Sequence, residues 1–252
     1  MSGQAFCSTR RKPNTQGVEI MTSGASPVSV CEVIKSRVAV RRFLPRGVPE
    51  AVVREILHTA SYAPSGANLQ PWRVYVVAGT AKDALAEQLH AAFHDRAEAH
   101  SEEYRYYPDP GLEPYASRKR AFGRLFYGAL GIRQEDAEAR VRQTARNYRF
   151  FDAPVGLVFT IDRRLEQGSW LDYGMFLQSI MLAARAVGLD TCPQVSFAKF
   201  HVVLRKCMGI PENELVLCGM SLGYADPESP ELSTRQPRIP VDAFASFSGF
   251  AP

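Results

Sequence analysis

Apolar positions recur along this chain first at helical and then at strand spacing, and their succession sketches the fold. Val30, Val33 and Ile34 share one face of a helix expected over residues 28–37. The next residues, Val38-Ala39-Val40-Arg41-Arg42-Phe43, alternate and predict extended chain. Pro49 suits a first helical turn, and Val52, Val53, Ile56, Leu57 and Ala60 keep helical phase over residues 50–62. A polar run at 64–71, bracketed by Pro64 and Pro71, breaks that helix. RVYVVA at 73–78 reads as a core strand, and Thr80 is placed to cap a long helix running towards His100. Residues 101–116 hold four Tyr and three Pro with little period. Helical patterns follow near 117–130 and 134–150, then a buried strand, VGLVFTI, at 155–161.

The segment 172–187 is apolar nearly all round, which predicts a central helix, and Gly188 is its natural stop. A short helix at 198–208 and a core strand at 215–222 come next. The last thirty residues carry five Pro and no strong period, as an extended arm would. This order predicts an α+β sandwich, a mixed central sheet covered by helices. The expected organisation is a tail at 1–27 and a single domain at 28–252. Within the domain, a helical cap insertion is expected at about 101–150 and the C-terminal arm at about 224–252.

Composition narrows the function classes. Of 252 residues, 46% are hydrophobic, enough for a substantial core. The net charge of +4 arises from 30 Lys and Arg spread among 26 acids, without the basic motif a nucleic-acid binder shows. The five Cys have neither zinc-ligand nor CxxC spacing and read as reduced thiols of a cytoplasmic protein. No stretch is long and apolar enough for a membrane span. Residues 1–28 lack the apolar core of a secretory signal; their low acid content leaves an organelle-transit reading open, and Met21 offers a second start. No glycine pattern forms a GxGxxG or Walker A loop.

Two segments carry chemistry. In extended chain Arg37, Ala39 and Arg41 share a face, so two guanidinium groups flank a small residue. Arg suits phosphate through bidentate bonds, which makes a forked anion site; from spacing alone a solvated basic turn is the simpler reading. In Ala63-Pro64-Ser65-Gly66-Ala67-Asn68-Leu69-Gln70-Pro71-Trp72, the side chains of Ser65, Asn68 and Gln70 sit between two prolines. Such a loop suits the imide edges of a planar heterocycle, or it is an ordinary helix-to-strand connection.

Together, SRVAVRRF and APSGANLQPW resemble the nitroreductase family, whose pattern is close to SRRSVRRF followed by APSxxNxQPW. DYGMFLQSIMLAARAVGLDTCPQVSF (172–197) resembles the family's central helix and flavin-edge loop, and IPENELVLCGMSLGYAD (210–226) its last core strand. RFFDAPVGLVFTID and the Tyr-rich insertion are most similar to the subgroup that reduces 4-nitrobenzoate and related nitroaromatics. The likeness covers about residues 28–247.

The resemblance implies a three-layer sandwich, an intertwined homodimer with FMN at its interface, and ping-pong hydride transfer from NAD(P)H to a nitroaromatic. The chemistry would belong to flavin N5, with no catalytic side chain. By the same resemblance Arg37, Val38, Ala39 and Arg41 hold the FMN phosphate and ribityl chain, although Ala39 stands where the family often has Ser. Pro64, Ser65, Gly66 and Asn68 face the isoalloxazine, usually from the partner subunit. Pro193, Gln194, Val195 and Ser196, following Cys192, lie along the flavin. Arg235 or, preferably, Arg238 completes the phosphate clamp. Phe122, Phe126 and Tyr127 are expected to contact flat substrates. Arg124, with Arg118, Lys119 and Arg120, either pairs with a substrate carboxylate or forms a solvated face. Quinones, enones and halogenated phenols are rival acceptors, and a non-catalytic flavin-binding protein is the rival of another class. Cys192 has no paired His to make it a nucleophile, and His90 and His94, at i, i+4, lack an evident third metal ligand.

Overall fold

A computed structural model of the chain describes residues 29–250. The tail expected at 1–27, Cys7 and Met21 lie outside the described residues.

The elements run α1 Val30–Ser36, α2 Glu50–Ala60, β1 Arg73–Ala78, α3 Gly79–Arg96, α4 Tyr115–Ala129, α5 Ala137–Ala145, β2 Val155–Asp162, α6 Gln167–Ala186, β3 Asp190–Gln194, α7 His201–Met208 and β4 Glu214–Gly223. The sheet order is β1-β2-β4-β3, and each adjacent pair is antiparallel. The mixed character expected of the sheet is confined to one parallel bridge, Ala39 to Thr191. In β2 the first seven residues are all buried, because both faces of the sheet are covered. On one face Leu157, Phe159 and Ile161 pack with Val53 and Ile56 of α2 and Phe176 and Ile180 of α6. On the other, Val158 and Val216 pack with Leu85 and Leu89 of α3, Phe197 and Phe200, and Leu204 of α7. Three layers result, with the sheet in the middle.

Several expectations move. The helix expected from 172 starts five residues earlier, at Gln167, and ends before Gly188, whose φ of +76° suits a residue without a Cβ. Thr80 lies inside α3 rather than capping it. The helix expected over 134–150 is α5 followed by a 3-10 segment, where Phe150, Phe151 and Asp152 adopt φ between 52° and 65° and turn the chain into β2. Residues 190–194, expected as loop, form edge strand β3, where Pro193 is tolerated because an edge strand has one unpaired side. Of the apolar face expected on α1, only Val33 is buried; Val30 and Ile34 are exposed. None of the helices among the described residues is long and apolar enough to cross a membrane.

Candidate active site

Ser29 caps α1 in a reciprocal box with Glu32, and the chain leaves the helix at Arg37 in extended conformation. Backbone bonds then stitch the segment down on two sides. Val40 N–H donates to the Thr191 carbonyl at 3.0 Å, Leu44 N–H to Tyr224 at 2.9 Å, and Asp226 N–H to Arg42 at 3.0 Å. Val40 and Phe43 are buried in the core, which fixes the segment while Arg37, Ala39 and Arg41 line open space.

That space is a cavity of about 860 Å³, lined by Arg37, Val38, Ala39, Arg41, Arg235 and Arg238, with Phe122 and Phe126 of α4 opposite. Arg235 Nη1 donates to the Ser36 carbonyl at 2.9 Å, and Arg238 Nη1 to those of Gln236 and Pro237 at 2.9 and 3.2 Å. Among the described residues none of these four arginines makes an ion pair with a carboxylate. Burial, and then the neighbouring Arg238, push the Arg37 guanidinium below its ordinary pKa. A bound anion would relieve that repulsion.

A second cavity, of about 730 Å³, shares Arg41, Phe122 and Phe126 with the first. Its wall includes Pro193, Gln194, Val195 and Ser196, together with Tyr127, Tyr148 and Phe151. Arg41 stands at the partition, its guanidinium carbon 4.7 Å from the Phe126 ring centre and Nη1 3.2 Å from the Ala39 carbonyl. The Gln194 side chain turns into the core instead: its amide donates to the Asn147 carbonyl at 2.7 Å, and its oxygen lies 2.6 Å from Ser221 Oγ. Burial lifts the Tyr148 hydroxyl to about 12 and raises that of Tyr104, so both stay protonated near neutrality. The two volumes fall in the usual range for small-molecule sites, about 300–1,000 Å³.

Other expected residues are placed elsewhere. Within one chain Pro64, Ser65, Gly66 and Asn68 line neither cavity. Their loop is pinned at a distance in sequence, with Gly66 N–H donating to Asp172 Oδ2 at 3.1 Å and Gln70 N–H to Ser65 Oγ at 3.0 Å. Ala67, Asn68 and Gln70 hold positive φ of 47°, 58° and 48°, a conformation a non-glycine residue keeps only when its surroundings impose it. Arg124 opens onto a third cavity with Lys119, Arg120 and Arg140. Cys192 is buried. The His90 and His94 rings lie 4.5 Å apart on α3.

Asp172, Gln143, Tyr148 and Lys199 escaped sequence reasoning. Asp172 at least carries a signal, a buried carboxylate in a largely apolar helix, the kind of residue that stays buried only with a partner.

Residues 34–224 match the model of the nitroreductase family. A nitrobenzene nitroreductase of Ectopseudomonas oleovorans is 44% identical over 86% of this chain and 95% of its own. A 4-nitrobenzoate reductase of Pseudomonas putida is 43% identical over the same shares. The crystal structure of the FMN and NADPH-dependent nitroreductase NfnB from Sphigopyxis sp. strain HMH superposes with a TM-score of 0.86, at 35% identity, over 88% of this chain and all of that one. That of the FMN-dependent nitroreductase NfnB from Mycobacterium smegmatis, in complex with NADPH, gives 0.82 at 33% identity, over 87% and 98%. With the arginine cavity and the aromatic cavity meeting at Arg41, these likenesses establish that the chain belongs to the nitroreductase family.

Proposed function

We propose that the chain is an FMN-dependent oxidoreductase that passes hydride from NAD(P)H to nitroaromatic acceptors. The observation that carries this reading is the junction of the two cavities at Arg41: arginines without a carboxylate partner among the described residues at one end, and a chamber lined by aromatic side chains and β3 at the other. The donor set fits FMN. Arg37, Arg41, Arg235 and Arg238 would hold its phosphate, with the Val38 and Ala39 backbone beside the ribityl chain. Pro193–Ser196 would run along the ring edge, Gln194 contributing backbone because its side chain is engaged elsewhere. Bound there, the flavin supplies a two-electron carrier; the chain orients it, excludes water and holds flat acceptors between aromatic side chains. Phe122, Phe126 and Tyr127 are the substrate contacts in this reading.

The working form is a homodimer in which Pro64, Ser65, Gly66 and Asn68 complete the partner's site. Val30, Ile34, Tyr62, Leu69, Leu171 and Phe244 are exposed apolar side chains, which a subunit interface would cover. Residues 28–252 form one domain, with the insertion at 101–150 as cap and 224–252 as arm. Cys31, Cys207 and Cys218 are free thiols, which suits the reducing cytoplasm.

The test is the absorption spectrum of the purified protein, with bleaching by NADH or NADPH and recovery on adding a nitroaromatic. A yellow protein that bleaches and recovers supports the reading. A protein that binds no flavin overturns it, and one that bleaches but recovers only with quinones or enones moves the acceptor class.

A further inference from the structure

The polar groups on the wall of the second cavity divide into those already engaged and those that are not. Thr144 Oγ1 donates to the Arg140 carbonyl at 2.9 Å, and Asn147 Nδ2 to that of Thr144 at 3.0 Å. Glu103 is held by Arg163 and Arg205. Arg105 pairs with Asp109 at 2.7 Å, and Arg41 rests on Phe126.

Two nitrogen donors remain on this wall, along with the Ser196 hydroxyl, which is buried without a partner among the described residues. Lys199 makes no ion pair or hydrogen bond among the described residues. Gln143, only 8% exposed, has an amide nitrogen with no acceptor. A buried amide without a partner is a standing penalty that a ligand oxygen removes. Lys199 sits on the 3-10 segment Val195–Phe200, one turn beyond Ser196, so a ligand it anchors lies along the wall proposed for the flavin edge. The basic residues of α4 are poorly placed for this role, because Lys119 lies over the Tyr107 ring at 4.1 Å and Arg124 opens onto the third cavity.

We infer that Lys199 and Gln143 bind an acidic substituent of the acceptor, so that the enzyme selects carboxylate-bearing nitroaromatics over neutral ones; this rests on the nitroaromatic reading above. A carboxylate offers oxygens to both donors, and the ammonium supplies the charge-assisted bond. Glu102, on the same wall, makes no ion pair among the described residues and opposes an anionic ligand.

The test is the ratio of kcat/KM for 4-nitrobenzoate to kcat/KM for nitrobenzene, measured with the flavin-loaded protein. Lys199→Met lowers the ratio about 10- to 100-fold, the range of one charge-assisted hydrogen bond, and Gln143→Leu lowers it about 3- to 10-fold. Lys199→Arg keeps most of it, and Glu102→Gln raises it. If wild type reduces both acceptors and Lys199→Met leaves the ratio unchanged, or Lys199→Arg loses as much as Lys199→Met, this inference is overturned alone. If wild type oxidises NADPH but reduces neither acceptor, the nitroaromatic reading falls and takes this inference with it.

Discussion

Val40 and Thr191 are joined by a 3.0 Å backbone hydrogen bond in the parallel bridge between the arginine segment and β3. Segments about 150 residues apart in sequence therefore move as one piece. Arg37 and Arg41 flank the bridge on one strand, and Pro193 and Gln194 follow it on the other, which fixes the distance between the anion end and the edge of the aromatic chamber.

Removing either outward-facing arginine should weaken cofactor retention. A charge-assisted bond is worth about 1.5–3 kcal/mol, so Arg37→Ala and Arg41→Ala should each raise the FMN dissociation constant about 10- to 100-fold. Flavin release, followed by fluorescence on dilution, measures this. Full retention by the double variant contradicts the phosphate assignment.

Asp172 anchors the strained loop through Gly66 N–H. Asp172→Ala removes that part-buried bond at a cost of about 0.5–1.5 kcal/mol, or a melting temperature lower by about 2–4 °C per kcal/mol. Asp172→Asn keeps an acceptor oxygen and should lose less. Equal melting temperatures for Asp172→Ala and the parent would show that the loop is held by other contacts.

Gly219 pairs with Gln194 across the sheet, and a methyl group added there would stand 2.8 Å from Phe197 Cγ. Gly219→Ala should destabilise by about 1–3 kcal/mol through overpacking, and adding Phe197→Leu should recover part of the loss. Denaturant midpoints of the single and double variants decide the matter; a single variant as stable as the parent refutes the close approach.

His201 is held below its ordinary pKa of 6.5, chiefly by burial, with Glu103 at 3.4 Å opposing the shift. Below pH 6.5 the unfolded chain takes up this proton more readily than the folded one, so stability falls as pH drops from about 6.5 towards the folded value. His201→Gln should flatten that part of the melting-temperature profile. An unchanged slope between pH 7.5 and 5.5 would assign the acid sensitivity to other groups.

Much of the fold is legible where local chemistry and tertiary packing agree. RVYVVA forms β1 with the bounds its pattern predicts, and Gly188 ends the central helix because only a residue without a Cβ takes that φ comfortably. β3 is illegible because Pro193 and the polar Asp190, Thr191 and Gln194 look like loop, and only pairing with β4 makes them strand. The reversal at Phe150–Asp152 follows from packing rather than propensity. For the site, Arg37, Arg41 and Arg238 stand out through their charge and spacing. Gln143 and Lys199 do not, since their interest lies in what surrounds them after folding. The loop at 64–68 announces itself in sequence, yet within one chain it meets neither cavity.

Arg41 belongs to the walls of both cavities, and this ties their ligands together energetically. An anion that draws its guanidinium off Phe126 reshapes the aromatic chamber, and a flat molecule packed on Phe126 constrains where the guanidinium can go. By linkage the two effects are equal in free energy. The coupling between a ligand in one cavity and a ligand in the other is therefore one shared quantity at this residue, and a substitution of Arg41 that changes it changes both sides by the same amount.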